Sequence, residues 1–309
     1  MTTMRAVRFH EYGPPATLVI DEVDRPRAGA GQVVVRVRAA GVNPIDWKVR
    51  SGMLKDYMPV ELPHTGGLDL AGVIEEVGPG VSGFAKGQAV FGRGTGAYAE
   101  YATADVATLA LKPEGLSFED AASIPIGAAT AWAALFTSAD LLAGQRILIH
   151  GAAGGVGGWA VQMARWKGAD VIGTASTANV EFVRSLGAGE VIDYTTTRFE
   201  DVVKDVDVVF NTVGGDLNDR SWPVLRKGGV LLDITGQPSE DTARQHGVRT
   251  VPVQSNPSNE VLTTLATLIE SGTVRPVITT IFPLEELEQA QTLSETGHGR
   301  GRIVVSVTG

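Results

Sequence analysis

The chain has 309 residues, 43% hydrophobic and 20% charged, a balance that suits a folded protein long enough for two domains. No run of about 18 uncharged apolar residues is present to cross a bilayer, and a net charge of −9 opposes the basic surface that nucleic acid requires, so neither membrane nor nucleic acid is an expected partner. The absence of cysteine excludes disulfides, thiolate metal sites and thiol nucleophiles.

Residues 1–8 pass directly into strand-like alternation without an apolar signal core, which predicts a cytoplasmic protein. Through the first 110 residues, short alternations such as 33–37 and 71–77 are separated by Gly and Pro turns, as in a β-rich, barrel-like unit. From about residue 119 an alanine-rich helical stretch opens, and apolar strands at 146–150, 170–174, 190–193, 207–211 and 229–233 then alternate with helices. That spacing predicts a doubly wound parallel sheet built from successive βα units, hence an α/β fold. A helix is expected at 259–271, capped by Asn256 or Ser258, and a closing strand at 302–307. That last strand suits the first domain better than the second, giving domains 1–118, 119–259 and a return segment 260–309.

Residues Gly151, Ala152, Ala153, Gly154, Gly155, Val156 and Gly157 join the strand at 146–150 to an amphipathic helix. Glycines alone would equally suit a flexible loop. A strand before them, a helix after them and the following βα units instead predict a turn that holds a dinucleotide's pyrophosphate on backbone N–H groups. Gly154 and Gly157 fill the second and third glycine places of G-x-G-x-x-G, and Ala152 stands in the first. About 20 residues further on, where NAD-specific enzymes place an acid on the ribose, the chain reads Ser176-Thr177. NADPH is therefore the expected cofactor. The cation for its 2′-phosphate must come from elsewhere in the chain, with Arg300 or Arg302 as candidates. Asn211 and Val213 end a strand on the same sheet edge and are expected near the nicotinamide, and Tyr194 near the adenosine.

Several blocks taken together resemble the zinc-free quinone oxidoreductase (zeta-crystallin-like) branch of the medium-chain dehydrogenase/reductase superfamily. They are 40–46, 67–78, 96–101, 130–135, the glycine turn and 297–304, so the resemblance covers nearly the whole chain. It implies a GroES-like catalytic domain formed by both chain ends around a Rossmann domain, with the active site between them, and a homodimer. The apolar edge candidate 249–253 would suit that dimer. Zinc-dependent relatives carry cysteine where Asn43 stands, a hydroxyl residue where Ile45 stands and His-Glu where Leu68-Asp69 stand, so no metal site is expected. The implied activity is NADPH-dependent hydride transfer to a quinone or an α,β-unsaturated carbonyl. Enoyl-thioester reduction and cofactor binding without turnover are the alternatives. Asn43, Lys48 and Tyr57 fall in or just after the cleft-lining block and are the candidate donors to a developing oxyanion, and Thr130 is the candidate nicotinamide contact. Asp46 is read as a loop-stabilising or orienting acid, and the five histidines as structural.

Overall fold

The computed structural model describes residues 2–307, which form three sheets. Strands Gln32–Val42, Asp69–Val77, Ala89–Arg93 and Leu109–Leu111 run antiparallel to their neighbours, and Tyr101–Asp105 adds to the first of them. Alternation in Val33, Val35 and Val37 seals the interior of this unit, together with Leu70, Ile74, Val90 and Leu109. A small sheet of Thr3–Phe9, Leu18–Asp24 and His64–Thr65 lies alongside it in the chain.

The chain then enters a six-stranded parallel sheet. Its spatial order is Glu190–Asp193, Asp170–Ala175, Arg146–His150, Val206–Asn211, Leu225–Asp233 and Arg249–Thr250. Central strands here are apolar on both faces, because one core packs over each side: Ile147, Ile149 and Phe210 on one, Leu148, Ile172 and Leu231 on the other. The strand order reverses between Arg146–His150 and Val206–Asn211, whose registers pair Ile147 with Val208 and His150 with Asn211. That reversal opens the crevice in which α/β sheets hold ligands.

Ser258 caps the helix Asn259–Glu270, its hydroxyl accepting from the Val261 N–H. The strand Arg302–Ser306 then returns to the first sheet, antiparallel to Gln32–Val42 and parallel to Ile278–Pro283. Ala39, Ala71, Phe91, Ala110 and Val304 of that sheet share one continuous core with Ile147, Ile149 and Trp159 of the other. Only Arg249 and Thr250 of the expected edge stretch 249–253 form a strand, with Pro252 beyond it unable to donate to a ladder.

Candidate active site

Strand Arg146–His150 ends at Gly151, whose φ of 70° is left-handed and costs a glycine little. This explains Ala152 at the first motif place, since the sharp bend is made one residue earlier. A Cβ on Gly157 would lie 2.1 Å from the Gly151 carbonyl oxygen, so the turn closes on itself only with glycine there. Gly154 is not among the glycines with a left-handed φ, and a Cβ on it would meet only the Gly151 oxygen at 3.3 Å. The helix Gly157–Lys167 follows. Among the described residues the N–H groups of Gly155, Val156 and Gly157 have no acceptor, which leaves an anion-ready helix entrance.

Asn211 braces the facing loop. Its side-chain oxygen accepts from the N–H groups of Val213 (3.0 Å) and Gly214 (3.1 Å), and its amide donates to Asn218. Thr212 donates to the His150 carbonyl at 2.7 Å, fixing the loop to the start of the glycine turn, and Val213 is left 58% exposed beside it. His150 itself is fully buried between the hydroxyls of Thr174 and Ser221. Burial, helped by Arg220, pushes its pKa down to about 3, so it stays neutral.

Across the crevice the site is built from charged side chains. Asn43 precedes the short helix Pro44–Arg50, and its backbone N–H donates to Asp46 Oδ2 at 2.8 Å. Its side-chain amide also binds two partners outside that helix. Nδ2 donates to Asp69 Oδ2 at 3.0 Å and Oδ1 accepts from Arg302 Nη2 at 2.8 Å, which fixes the amide's orientation. The same Arg302 nitrogen donates to Asp69 Oδ2 at 2.8 Å, and the Ile126 N–H donates to Asp69 Oδ1 at 3.0 Å. Tyr98 donates its hydroxyl to Asp46 Oδ2 at 2.6 Å. All five side chains are buried. Burial pushes the Asp46 carboxyl up to about 7, and it raises the Asp69 carboxyl too, against the pull of Arg302. Burial also drives Tyr98 well above its ordinary value, and Asp46 beside it adds to that shift.

Arg302 joins the two halves. A Cβ on Gly155 would lie 2.9 Å from Arg302 Cδ, the Gly301 N–H donates to the Ala153 carbonyl at 2.8 Å, and Arg302 Nε is buried without a partner. Arg302 therefore lies against the glycine turn, with its guanidinium held in the buried pair with Asp69.

The other expected residues are more dispersed. Lys48 is half-buried with its ammonium 5.6 Å from the centre of the Trp47 ring, and Tyr57 is 85% exposed on the turn after the helix, so neither joins the Asn43 cluster. Thr130 is buried and donates back to the Ile126 carbonyl at 2.7 Å. Ser176 accepts from Asn179 at 3.1 Å, and Tyr194, 55% exposed, is brought beside it by the bond from its N–H to the Ala175 carbonyl. The apparently acid-free stretch acquires one from the neighbouring strand: Asp193 pairs in register with Ala175 and accepts from Thr177 Oγ1 at 2.6 Å. Among the described residues no group of three His, Cys, Asp or Glu side chains is placed to hold a metal.

Residues 29–114 match the alcohol dehydrogenase GroES-like domain, and residues 186–305 match a family described as zinc-binding dehydrogenase. The quinone oxidoreductase of Sus scrofa is 36% identical, covering 96% of this chain and 95% of that one. The NADPH-dependent alkenal/one oxidoreductase of Arabidopsis thaliana chloroplasts is 35% identical, covering 98% of this chain and 79% of its own. The solved quinone oxidoreductase of Coxiella burnetii superposes with a TM-score of 0.92 at 35% identity, over 99% of this chain and 100% of that one. The chain belongs to the zinc-free quinone oxidoreductase branch of the medium-chain dehydrogenase/reductase superfamily. It is an oxidoreductase, with the family's GroES-like unit and Rossmann sheet. In this medium-chain dehydrogenase/reductase Asn43 and Asp69 lie together, and the positive charge beside them is the Arg302 guanidinium.

Sequence reasoning missed Asp69 as a site residue, and also Tyr98, Asp193 and the partner of Arg302. A usable signal was present for Asp69: an acid inside the apolar run 68–71 demands a buried cation.

Proposed function

We propose that this protein is an NADPH-dependent, zinc-independent reductase of quinones or α,β-unsaturated carbonyls. The observation that carries it is the continuity of one network from the phosphate-ready glycine turn, through Arg302, to the oriented amide of Asn43. A dinucleotide fits the turn by three features: the left-handed Gly151, the acceptor-free N–H groups of 155–157 and the unpaired Arg302 Nε beside them. When bound, reduced nicotinamide supplies the hydride. The chain's part is to hold and polarise. The N–H groups of the turn bind the pyrophosphate, and Arg302 and Asp69 lock the Asn43 amide so that its second Nδ2–H is the proton left for an acceptor oxygen gaining charge. Asn211 holds the 213–214 backbone at the nicotinamide end, Thr130 borders it, and Lys48 and Tyr57 lie on the segment that leads away from Asn43.

The names of the relatives support both acceptor classes, and one of those names specifies NADPH. We further place the domains at 1–118 with 260–309 and at 119–259, the protein in the cytoplasm, and a homodimer across the Arg249–Thr250 edge of the six-stranded sheet. No helix among the described residues is long and apolar enough to cross a membrane.

Mixing the protein with NADPH and a panel of quinones, alkenals and enoyl thioesters, and following the reduced-nicotinamide absorbance, tests the activity. Consumption with quinones or alkenals is expected. Binding of NADPH without consumption by any acceptor would overturn it in favour of a binding protein, and consumption confined to thioesters in favour of an enoyl reductase. Dialysis against chelator should leave the rate unchanged, and a monomer in light scattering at micromolar concentration would refute the dimer.

A further inference from the structure

Asn43 and Asp46 stand at the start and in the first turn of the helix Pro44–Arg50, three residues apart and so on one side of it. The bond from the Asn43 N–H to Asp46 Oδ2 brings the carboxyl to within one residue's breadth of the amide that would receive the acceptor oxygen. Oδ2 also accepts from the Tyr98 hydroxyl at 2.6 Å, so both of its lone pairs are committed. Oδ1 has no partner among the described residues, and yet it is not sealed from solvent, in a residue that is 8% exposed.

Charge decides where a proton sits in this cluster. The titratable and charged groups that act on Asp46 are Tyr98, Asp69 and Arg302. Arg302 pairs with Asp69 at 2.8 Å and acts on Asp46 only from beyond ion-pair distance. With both carboxyls ionised the buried cluster would carry a net negative charge, which costs far more than a neutral acid. One proton on Asp46 balances it, in keeping with the burial that raises this carboxyl to about 7. Since Oδ2 is committed to two donors, that proton belongs on Oδ1, the open oxygen.

We propose that Asp46 is the general acid of the reaction, its Oδ1–H supplying the proton that follows the hydride. This rests on the reductase reading above and deepens it. Hydride addition to the β-carbon of an alkenal moves the C=C pair toward the carbonyl and leaves the negative charge on an oxygen held by the Asn43 amide. The Oδ1–H bond then breaks, the proton goes to that oxygen, and the bonding pair stays on the carboxylate, which the Asn43 N–H and the Tyr98 hydroxyl hold through Oδ2. The enol so formed relaxes to the saturated carbonyl in water, and solvent returns a proton to Oδ1. A neutral acid beside the developing charge also lowers the barrier to hydride addition itself. Tyr98 acts through Asp46 and is a positioning residue.

The test follows NADPH absorbance in single turnovers of the full-length protein with an alkenal, from about pH 6 to 9. The wild-type rate should be level below a pH of about 7 and fall by about tenfold per unit above it, as Asp46 ionises. Asp46→Asn should lower the level rate by about a hundredfold and remove the pH dependence, with NADPH affinity unchanged. Tyr98→Phe takes one donor from the carboxylate, so the fall should begin at higher pH, a shift that a merely structural role would not produce. If wild type consumes NADPH with no acceptor, the reductase reading itself falls. If wild type turns over while Asp46→Asn keeps its rate and pH profile, only the role of Asp46 falls. Should Asp46→Asn fail to fold, an unmoved alkaline limb in Tyr98→Phe would overturn that role, and a displaced one would support it.

Discussion

The two walls of the crevice solve the same problem with different materials. On the nucleotide side, the turn 151–157 offers backbone N–H groups, and its buried titratable neighbour, His150, is kept neutral between two hydroxyls. On the other side, Asn43, Asp46, Asp69, Tyr98 and Arg302 bury two carboxyls around one guanidinium. A backbone site depends on glycines and local chain geometry, so it tolerates changes in pH and most side chains. A side-chain site concentrates charge where it can orient an amide, but each member depends on the others. The difference teaches where to look for fragility: in the ion pair before the glycine turn.

The largest expected effect follows from that. Arg302→Ala leaves Asp69 buried without its cation and should lower unfolding free energy by about 3–5 kcal/mol. Denaturant titration of this variant against Arg302→Met/Asp69→Leu checks it, because replacing the whole pair with apolar groups should recover most of the loss. A single variant as stable as wild type would show that the pair contributes nothing.

Next in size is a contrast in pH dependence. The Asp46 carboxyl titrates near 3.8 when unfolded and at about 7 when folded, so the folded state binds the extra proton between those values. Its contribution to stability therefore falls as pH rises through that window, by about 4 kcal/mol at most. Asp46→Asn keeps an oxygen for Tyr98 and the Asn43 N–H and should remove this slope in thermal melts from pH 4 to 7. His150 slopes the other way. Its pKa falls from 6.5 to about 3 on folding, so its contribution is lost as pH falls below 6.5, and His150→Gln should flatten that loss. Equal pH profiles for wild type and both variants would erase the contrast between the walls.

On the backbone side the effects on stability are smaller and those on binding larger. At Gly154 an added Cβ meets only the Gly151 oxygen, so Gly154→Val should change stability by under about 1 kcal/mol while NADPH affinity falls by about tenfold or more. Fluorescence titration beside circular dichroism separates the two, and unchanged affinity would remove the turn from the phosphate site. Gly158→Ala is the mildest, since its Cβ would touch Leu186 at 3.4 Å and the Ala152 oxygen at 3.8 Å in a helix that favours alanine by about 1 kcal/mol.

Much of the nucleotide wall was legible in the sequence because its determinants are local. Apolar runs bounded by turns located five of its six strands, and a strand, glycines and a helix in succession located the turn. The opposite wall was legible only in part. Asn43 stood out in its motif block, but its partner Arg302 lies 259 residues away, and only the register of Arg302–Ser306 against Gln32–Val42 brings them together. Asp193 was missed at the ribose end for the same reason: it arrives through the pairing of Ala175 with Asp193, which no spacing along one strand reveals. Tyr57, close to Asn43 in sequence, is left 85% exposed on the turn after the helix.

The separation of Arg302 from Asp69, 233 residues along the chain, also sets an order of assembly. During synthesis Asp69 emerges early, and the parallel sheet of 146–250 can form before Arg302 exists to pair with it. The carboxyl must wait solvated or protonated until the strand Arg302–Ser306 leaves the ribosome and closes the first sheet. The half of the molecule that carries the parallel sheet can thus mature before the half that carries Asp69, and the two are joined only once that strand has been made.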